Sequence, residues 1–558
     1  MNNRQRNFWT QVWSIFYEYN QSDEALVSKA PKPVSFLARE ILSNLRRFPH
    51  CLLLTRVGTF YEVERFSNMI VRFPDLSIKS YFDQALEISR LLNIKLTSRK
   101  WNGERVAMCG FPIQHLDRYL KVLVQQEHRF VAMCEEFAHY DSNGLKEFER
   151  RISRIITPGT LIDESFIDPC NNNYLLAVNV PLSSDPVGLA WIDVATGEFF
   201  SKNCAFENLK DELARLAPRE IVLDESMKQY KEHPTLVVLS EVNCVISYCS
   251  PAAPLFSGAL EPSHAQVTFK EPTPLEKGSD PKLNLRDQTL GPDRETLAIK
   301  LLTDFLQANL REHMPLLNAP RHEDIQDRMQ IDAQTIQGLE IREVGHEGIT
   351  KGSLLSVVKR TLTSGGSRLL SRWLCGSLSR LNADFLIFPL GSPSTSLVEI
   401  NQRQSLVSFF HRRQHFRADI CGILKEMDDV TRLCQRFLLG RADFSDVIGI
   451  KTAIGTWDTL KRNCENEKLL EGAENRLPPY SSEWASVESL LHRMNNIGDL
   501  YDKISQAVIV NCDSTELWLG ESTMMENEDS NNEISNAAKS KKWSINPRHA
   551  VSSYNFVV

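Results

Sequence analysis

The spacing of apolar and polar residues changes several times along the chain, and each change marks an element. From Cys51 to Val57 the residues run Cys-Leu-Leu-Leu-Thr-Arg-Val before Gly58 ends the run. A short apolar stretch closed by glycine reads as a buried strand entering a turn. Thr-Phe-Tyr-Glu-Val follows, and because alternate side chains share a face on extended backbone, Phe60 and Glu62 point the same way. Helical and strand-like segments then alternate: a helix at Tyr81–Leu92, a strand at Val106–Cys109, a helix at Gln114–Gln126 and a strand at Phe130–Cys134. An amphipathic helix, Phe36 to Arg46, precedes them, and together they predict a compact α/β module.

A second pattern begins at Tyr174. Apolar strands are predicted at Tyr174–Val180 and Val187–Ile192, then a turn at Thr196-Gly197, a strand through Phe200, an amphipathic helix at Leu209–Leu216 and a strand at Glu220–Leu223. Ser250 to Pro292 is rich in Pro, Ser and Gly with little apolar period, which reads as a linker. After it Leu297, Leu301, Leu302, Phe305, Leu306 and Leu310 recur at three and four, the stripe of a long helix. Helical periodicity dominates from there to about Asp502, with Gly365-Gly366 placed between two helical runs.

Composition narrows the class without naming a function. A chain of 558 residues is too long for one core, and domains of about 100–200 residues suggest three or four. The apolar share of 42% and charged share of 24% are ordinary for a globular protein, and no apolar run is long enough to cross a bilayer. Twelve cysteines are scattered without a Cys-x-x-Cys pair, and no histidines stand at ligand spacing beside Cys244 and Cys249, so reduced thiols are expected and no metal site.

Charge is distributed unevenly. Ser35 to Ile156 carries nineteen Lys and Arg against fourteen Asp and Glu, whereas Asp513 to Ala538 carries seven acids and no base and reads as disordered. The basic surplus therefore falls on the module that contains Phe60 and Glu62. An exposed ring beside one acid can stack on a base while the acid reads its edge, and such stacking is worth roughly 1–3 kcal/mol per base. Packing is the alternative, since Phe-Tyr-Glu also occurs at Phe16 to Glu18 without the strand or the glycine.

Several stretches resemble the mismatch-recognition domain of the MutS family of DNA mismatch-repair proteins. They are Leu53 to Val63, Ala85 to Arg99, Met108 to Pro112, Leu116 to Val124, Val131 to Phe137 and Arg154 to Thr160, in the family's order. The resemblance implies that Phe60 wedges beside a mispaired base, that Glu62 bonds to it, and that Arg56 and Gly58 shape the loop. Leu-Thr-Arg-Val-Gly and Arg-Phe-Val-Ala-Met-Cys-Glu-Glu-Phe look closest to the mitochondrial branch of fungal MutS homologues. A leader carrying Arg4 and Arg6 with Phe8, Trp9, Val12, Ile15 and Phe16 at helical spacing fits a transit segment and, equally, an ordinary helix. Mitochondrial localisation is expected by resemblance.

In domain terms the resemblance implies a leader at 1–34, a mismatch-recognition α/β domain at 35–160 and a ribonuclease-H-like α/β connector at 161–250. A linker at 251–292 and an all-α lever at 293–510 follow; Ile331 to Thr335, Gly352 to Leu355, Arg372 to Leu374 and Glu399 to Leu406 carry the lever match. Leu378 to Phe388 reads as an insertion, and 511–558 as the acidic segment with the start of a clamp. A phosphate-binding loop needs Gly-x4-Gly-Lys-Ser/Thr, and this sequence contains no Gly-Lys. The expectation is a chain without the ATPase region and without its own enzymatic activity, ATP and Mg²⁺ belonging to longer relatives. The expected partner is duplex DNA with mismatches or small loops; the relatives are expected to form homodimers, and no membrane is involved. Two other functions stay open: a metal-dependent nuclease using Asp193, Glu198 and Asp224, and a non-catalytic interaction protein.

Overall fold

The computed structural model describes residues 36–64, 84–101, 104–140, 146–162, 165–181, 186–230, 232–242, 244–249, 293–315, 317–323, 331–345, 350–375, 397–474, 481–492, 497–510 and 543–545. The leader, the linker, the expected insertion at 378–388 and the acidic segment lie outside them, as do the first three residues of the helix expected from Tyr81. Two units form, one from residues up to 123 with 131–152, the other from 124–130 with 153 onwards.

The first unit carries a mixed sheet of β1 (Leu52–Val57), β2 (Phe60–Glu64), β3 (Thr97–Trp101), β4 (Glu104–Pro112), β5 (Val131–Tyr140) and β6 (Lys146–Ile156) in the order β3-β4-β2-β1-β5-β6. Strand β1 pairs antiparallel with β2 and parallel with β5. The central strand is apolar because both its neighbours and the layer above it are protein: Leu52, Leu53 and Leu54 are buried, with Ala132 and Met133 alongside. Helix Gln84–Leu91 buries Ala85 and Ile88, and both ends of its buried Gln84 amide are bonded, the oxygen accepting from the Leu53 amide and the nitrogen donating to the Cys51 carbonyl. Helix Phe36–Arg47 matches the expected span to within a residue. β2 follows the extended reading of Phe60 to Val63, whereas β3 and β6 are strands that the apolar pattern did not single out, since they are short or strongly charged.

In the second unit β7 (Tyr174–Asn179), β8 (Val187–Asp193) and β9 (Glu198–Cys204) form an antiparallel meander. β10 (Glu220–Asp224) and β11 (Val245–Cys249) then add in parallel, and a short β12 (Arg321–His322) closes the order β11-β10-β7-β8-β9-β12. One face packs Leu176, Trp191, Phe200 and Leu223 under helix Leu209–Leu216. The other is covered by helix Arg294–Leu310 through Leu301, Leu302, Phe305 and Leu306 against Leu175, Ala177, Ala190 and Ile192. A sheet covered on both sides has no polar face, which is why β7 and β8 read as unbroken apolar runs. Helix Pro234–Glu241 and β11 were not expected; Leu-Val-Val-Leu within that helix gives no helical period.

The Arg294–Leu310 helix was expected to open the all-α part. It packs on this sheet, where small residues under it allow close approach: a Cβ at Gly188 would stand 2.0 Å from the Arg294 carbonyl oxygen. The remaining helices include Leu397–Arg412, Gln414–Lys425, Phe444–Glu474 and Ser481–His492, which meet around Phe409, Phe416, Cys464 and Trp484. Arg413 lies 4.0 Å from the Phe409 ring centroid and pairs with Glu471, which also accepts from Trp484 Nε1 at 2.9 Å. Gly365 and Gly366 do not separate two helices. They form the first turn of helix Ser364–Leu374, where the Gly366 amide donates to the Thr363 hydroxyl and a Cβ on Gly366 would crowd that oxygen at 2.9 Å.

Gly188→Ala should force the covering helix off the sheet and lower stability by roughly 1–3 kcal/mol, read as a fall in the urea midpoint by tryptophan emission. A midpoint equal to that of the unmodified protein would contradict this packing.

Candidate nucleic-acid interface

The hairpin of β1 and β2 turns through two residues, Gly58 and Thr59, with Val57 paired to Phe60. Gly58 takes φ +61°, where a side chain is strained, and Thr59 does not, the residue pattern of a type II′ turn. This turn matches the right-handed twist of its strands. On β2, Tyr61 and Val63 face the core, 4% and 2% exposed, and Phe60 and Glu62 share the other face as expected. Phe60 is 45% exposed, more than any other large apolar side chain described in this unit. Among the described residues it makes no ring contact with another aromatic or cationic side chain.

The neighbours explain how such a residue is held outward. Tyr61 stands opposite Phe111, whose ring lies 4.5 Å from that of Tyr119, so the aromatic residue between Phe60 and Glu62 anchors the strand. Its hydroxyl donates to Glu135 Oε1 at 2.6 Å. Arg56 reaches the same carboxylate at 3.3 Å and also donates to the Gly58 carbonyl. The Gly58 amide donates to Glu136, which pairs with Arg150, and Arg150 in turn donates to the Arg56 carbonyl. At the turn Arg56 and Gly58 are each tied to a carboxylate on β5, Arg56 to Glu135 and the Gly58 amide to Glu136. Glu135, Glu136 and Arg150 were not singled out in the sequence, because only strand register brings positions 56, 135 and 150 together.

Glu62 is paired. Arg99 on β3 donates from Nη2 to its Oε1 at 2.8 Å and places Nη1 2.7 Å from Oε2. The residue opposite Glu62 on β4 is Gly110, and a Cβ there would lie 2.8 Å from the Tyr61 carbonyl oxygen and 3.3 Å from Glu62 Cγ. The glycine clears the path along which the acid reaches Arg99.

The second set of carboxylates does not converge. Asp193 and Glu198 are paired across the β8–β9 turn beside Tyr174, at the start of β7. Asp224 ends β10, which runs parallel to β7 from Glu220 opposite Leu175, so it lies at the far end of the sheet, roughly 15 Å away along the strands. Metal-assisted cleavage by two ions needs carboxylates around centres about 4 Å apart. Asp193 is buried and spent on the turn, accepting from Asn172, the Asn173 amide and the Ala195 amide; burial pushes its carboxyl up, against the charge of Arg432. Glu198 pairs with Arg372, and Asp224 caps the next turn by accepting from the Ser226 amide. Among the described residues no group of three His, Cys, Asp or Glu side chains is placed to hold a metal ion. None of the described helices is long and apolar enough to cross a membrane.

An α/β unit with a held hairpin tip, a second α/β sheet and a helical region in succession describe a multidomain protein of the MutS type. Family models match in the same order: MutS domain I over residues 77–165, MutS domain II over 173–252 and MutS domain III over 334–517. The chain belongs to the MutS family. It is similar to the DNA mismatch repair protein MutS of Rickettsia canadensis (strain McKiel), 29% identical over 423 residues, 74% of this chain and 42% of that protein. With the MutS of Rickettsia bellii (strain OSU 85-389) identity is 28% over 470 residues, 83% of this chain and 46% of the relative. The MutS of Bartonella henselae is 31% identical over 427 residues, 75% and 41%. The chain thus spans less than half the length of these relatives.

Two glycine substitutions separate strain from collision. Gly58→Ala meets open space and should cost about 1–2 kcal/mol for its φ alone. Gly110→Ala should cost at least as much and also displace Glu62 from Arg99, so comparison of thermal midpoints should rank it no more stable than Gly58→Ala.

Proposed function

We propose that this chain binds duplex DNA at mispaired or unpaired bases, with Phe60 as the stacking wedge and Glu62 as the acid that contacts the displaced base. The observation that carries this reading is the outward Phe60 ring, 45% exposed on a strand whose intervening Tyr61 and Val63 are buried. A flexible surface residue would give up its position on contact; this one is backed by an aromatic anchor and two carboxylates. A mispaired step has already lost part of its stacking, so inserting a ring there kinks the duplex at lower cost than at a paired step. Selection then follows from deformability as well as contact.

In the same reading residues 35–160 are the mismatch-recognition domain and 161–250 a connector. The meander β9-β8-β7 extended in parallel by β10 and β11 supports a ribonuclease-H-like fold for that connector. Residues 293–510 act as the lever. By resemblance to the mitochondrial branch of fungal homologues the protein works in mitochondria. ATP-driven signalling with Mg²⁺ and homodimer formation are properties proposed for longer relatives; the sequence here holds no Gly-Lys phosphate loop, and no enzymatic activity is proposed for it.

Binding of a labelled homoduplex and the same duplex with one G·T pair, measured by fluorescence anisotropy at one salt concentration, tests the reading. The mismatch should be preferred, and Phe60→Ala should remove roughly 1–3 kcal/mol of mismatch binding, abolishing the preference. Both duplexes should bind more weakly as salt rises, since neutralised phosphates release counterions. Equal affinity for the two duplexes in the unmodified protein overturns it.

A further inference from the structure

We propose that Arg99 is a positioning residue for Glu62, which fixes the plane of the acid and offsets its charge where the hairpin meets the phosphates; this rests on the mismatch-binding reading. The two residues come from different strands. β3 lies beyond β4 from β2, and the Glu62 side chain leaves β2 over Gly110 of β4, where a Cβ would stand 3.3 Å from its Cγ.

Both guanidinium nitrogens face the carboxylate: Nη2 donates to Oε1 at 2.8 Å, and Nη1 stands 2.7 Å from Oε2 as a close ion-pair contact without an aligned hydrogen bond, which together set the orientation of the carboxylate as well as its location. Oε2 is shielded from solvent, so its charge is met by the Arg99 guanidinium rather than by water. The Glu62 side chain is 11% exposed and that of Arg99 33%, which leaves the guanidinium as the wetter, more outward partner.

Two physical requirements meet at this pair. A carboxylate brought to a duplex faces a line of negative phosphates, and an uncompensated acid opposes binding to any sequence. A base edge is read only by an acceptor held at a defined angle, which a long, unrestrained glutamate side chain does not supply. One arginine with two nitrogens against the acid meets both requirements, whereas lysine, a single point charge, would meet only the first. Phe60, two residues away, needs neither because its ring is uncharged and its direction is set by Tyr61 and Val63.

The test uses the anisotropy assay on the full chain with Arg99→Gln, Arg99→Lys, Glu62→Gln and the double variant Arg99→Gln/Glu62→Gln. Arg99→Gln should weaken binding to both homoduplex and G·T duplex by roughly three- to tenfold, through the unopposed acid. Adding Glu62→Gln to it should restore homoduplex affinity, a rescue that a purely structural role for Arg99 would not produce. Arg99→Lys should hold homoduplex affinity within about twofold while losing at least half of the mismatch preference, since the ammonium is a single point charge.

The proposal is overturned if the double variant binds homoduplex no better than Arg99→Gln, if Arg99→Gln binds both duplexes like the unmodified protein, or if Arg99→Lys keeps the full preference. Circular dichroism and the thermal midpoint report folding; should Arg99→Gln fail to fold, Arg99→Lys alone decides by the same criterion. Loss of mismatch preference in the unmodified protein is a separate failure, that of the mismatch reading, and the homoduplex rescue still decides the charge role of Arg99.

Discussion

Everything at the proposed interface depends on the register of one hairpin. Because side chains alternate along a strand, a slip of one residue at Gly58-Thr59 would bury Phe60 and Glu62 and expose Tyr61 and Val63. The turn alone does not secure the register. Tyr61 does so by packing on Phe111 and bonding Glu135, so the residue between the two functional side chains determines where both of them point. A strand can thus present an apolar ring to solvent at 45% exposure without collapsing onto itself.

Charge around the tip is arranged in pairs. Arg56 with Glu135, Arg150 with Glu136 and Arg99 with Glu62 place cations and acids side by side on adjacent strands. Such pairs contribute little to stability where they are exposed. Their effect here is geometric, since the carboxylates hold the loop amide and the strand arginines in fixed places. The surplus of basic residues between Ser35 and Ile156 therefore does not translate directly into free cations for phosphates, and Arg56 in particular is already committed within the fold.

The second unit solves a different problem. A sheet covered on both faces needs helices at close range, and Ala177, Ala190 and Gly188 provide the space for Arg294–Leu310. Polar contacts then tie the helical region to the segment before β7. Arg368 forks onto Asp429 at 2.6 and 2.9 Å and donates to the Pro169 carbonyl, while Arg432 donates to the Asp168 and Asn171 carbonyls. The acids that suggested metal chemistry in the sequence belong to this framework: Glu198 bonds to Arg372 and Asp193 closes the β8–β9 turn.

The sequence by itself determined the elements whose signal is local. The apolar runs at Cys51–Val57, Tyr174–Val180 and Val187–Ile192, the Leu209–Leu216 stripe and the glycine that ends β1 follow from periodicity and backbone freedom, and so does the shared face of Phe60 and Glu62. What it could not determine is anything set by residues far apart in the chain. The pairing of Arg99 with Glu62, the carboxylates of Glu135 and Glu136 beneath the loop, the seat of the Arg294–Leu310 helix on the sheet and the separation of Asp224 from Asp193 were decided by strand order and packing. Their physical reason is common: a side chain's partner is fixed by which strands become neighbours, and no local pattern records that choice.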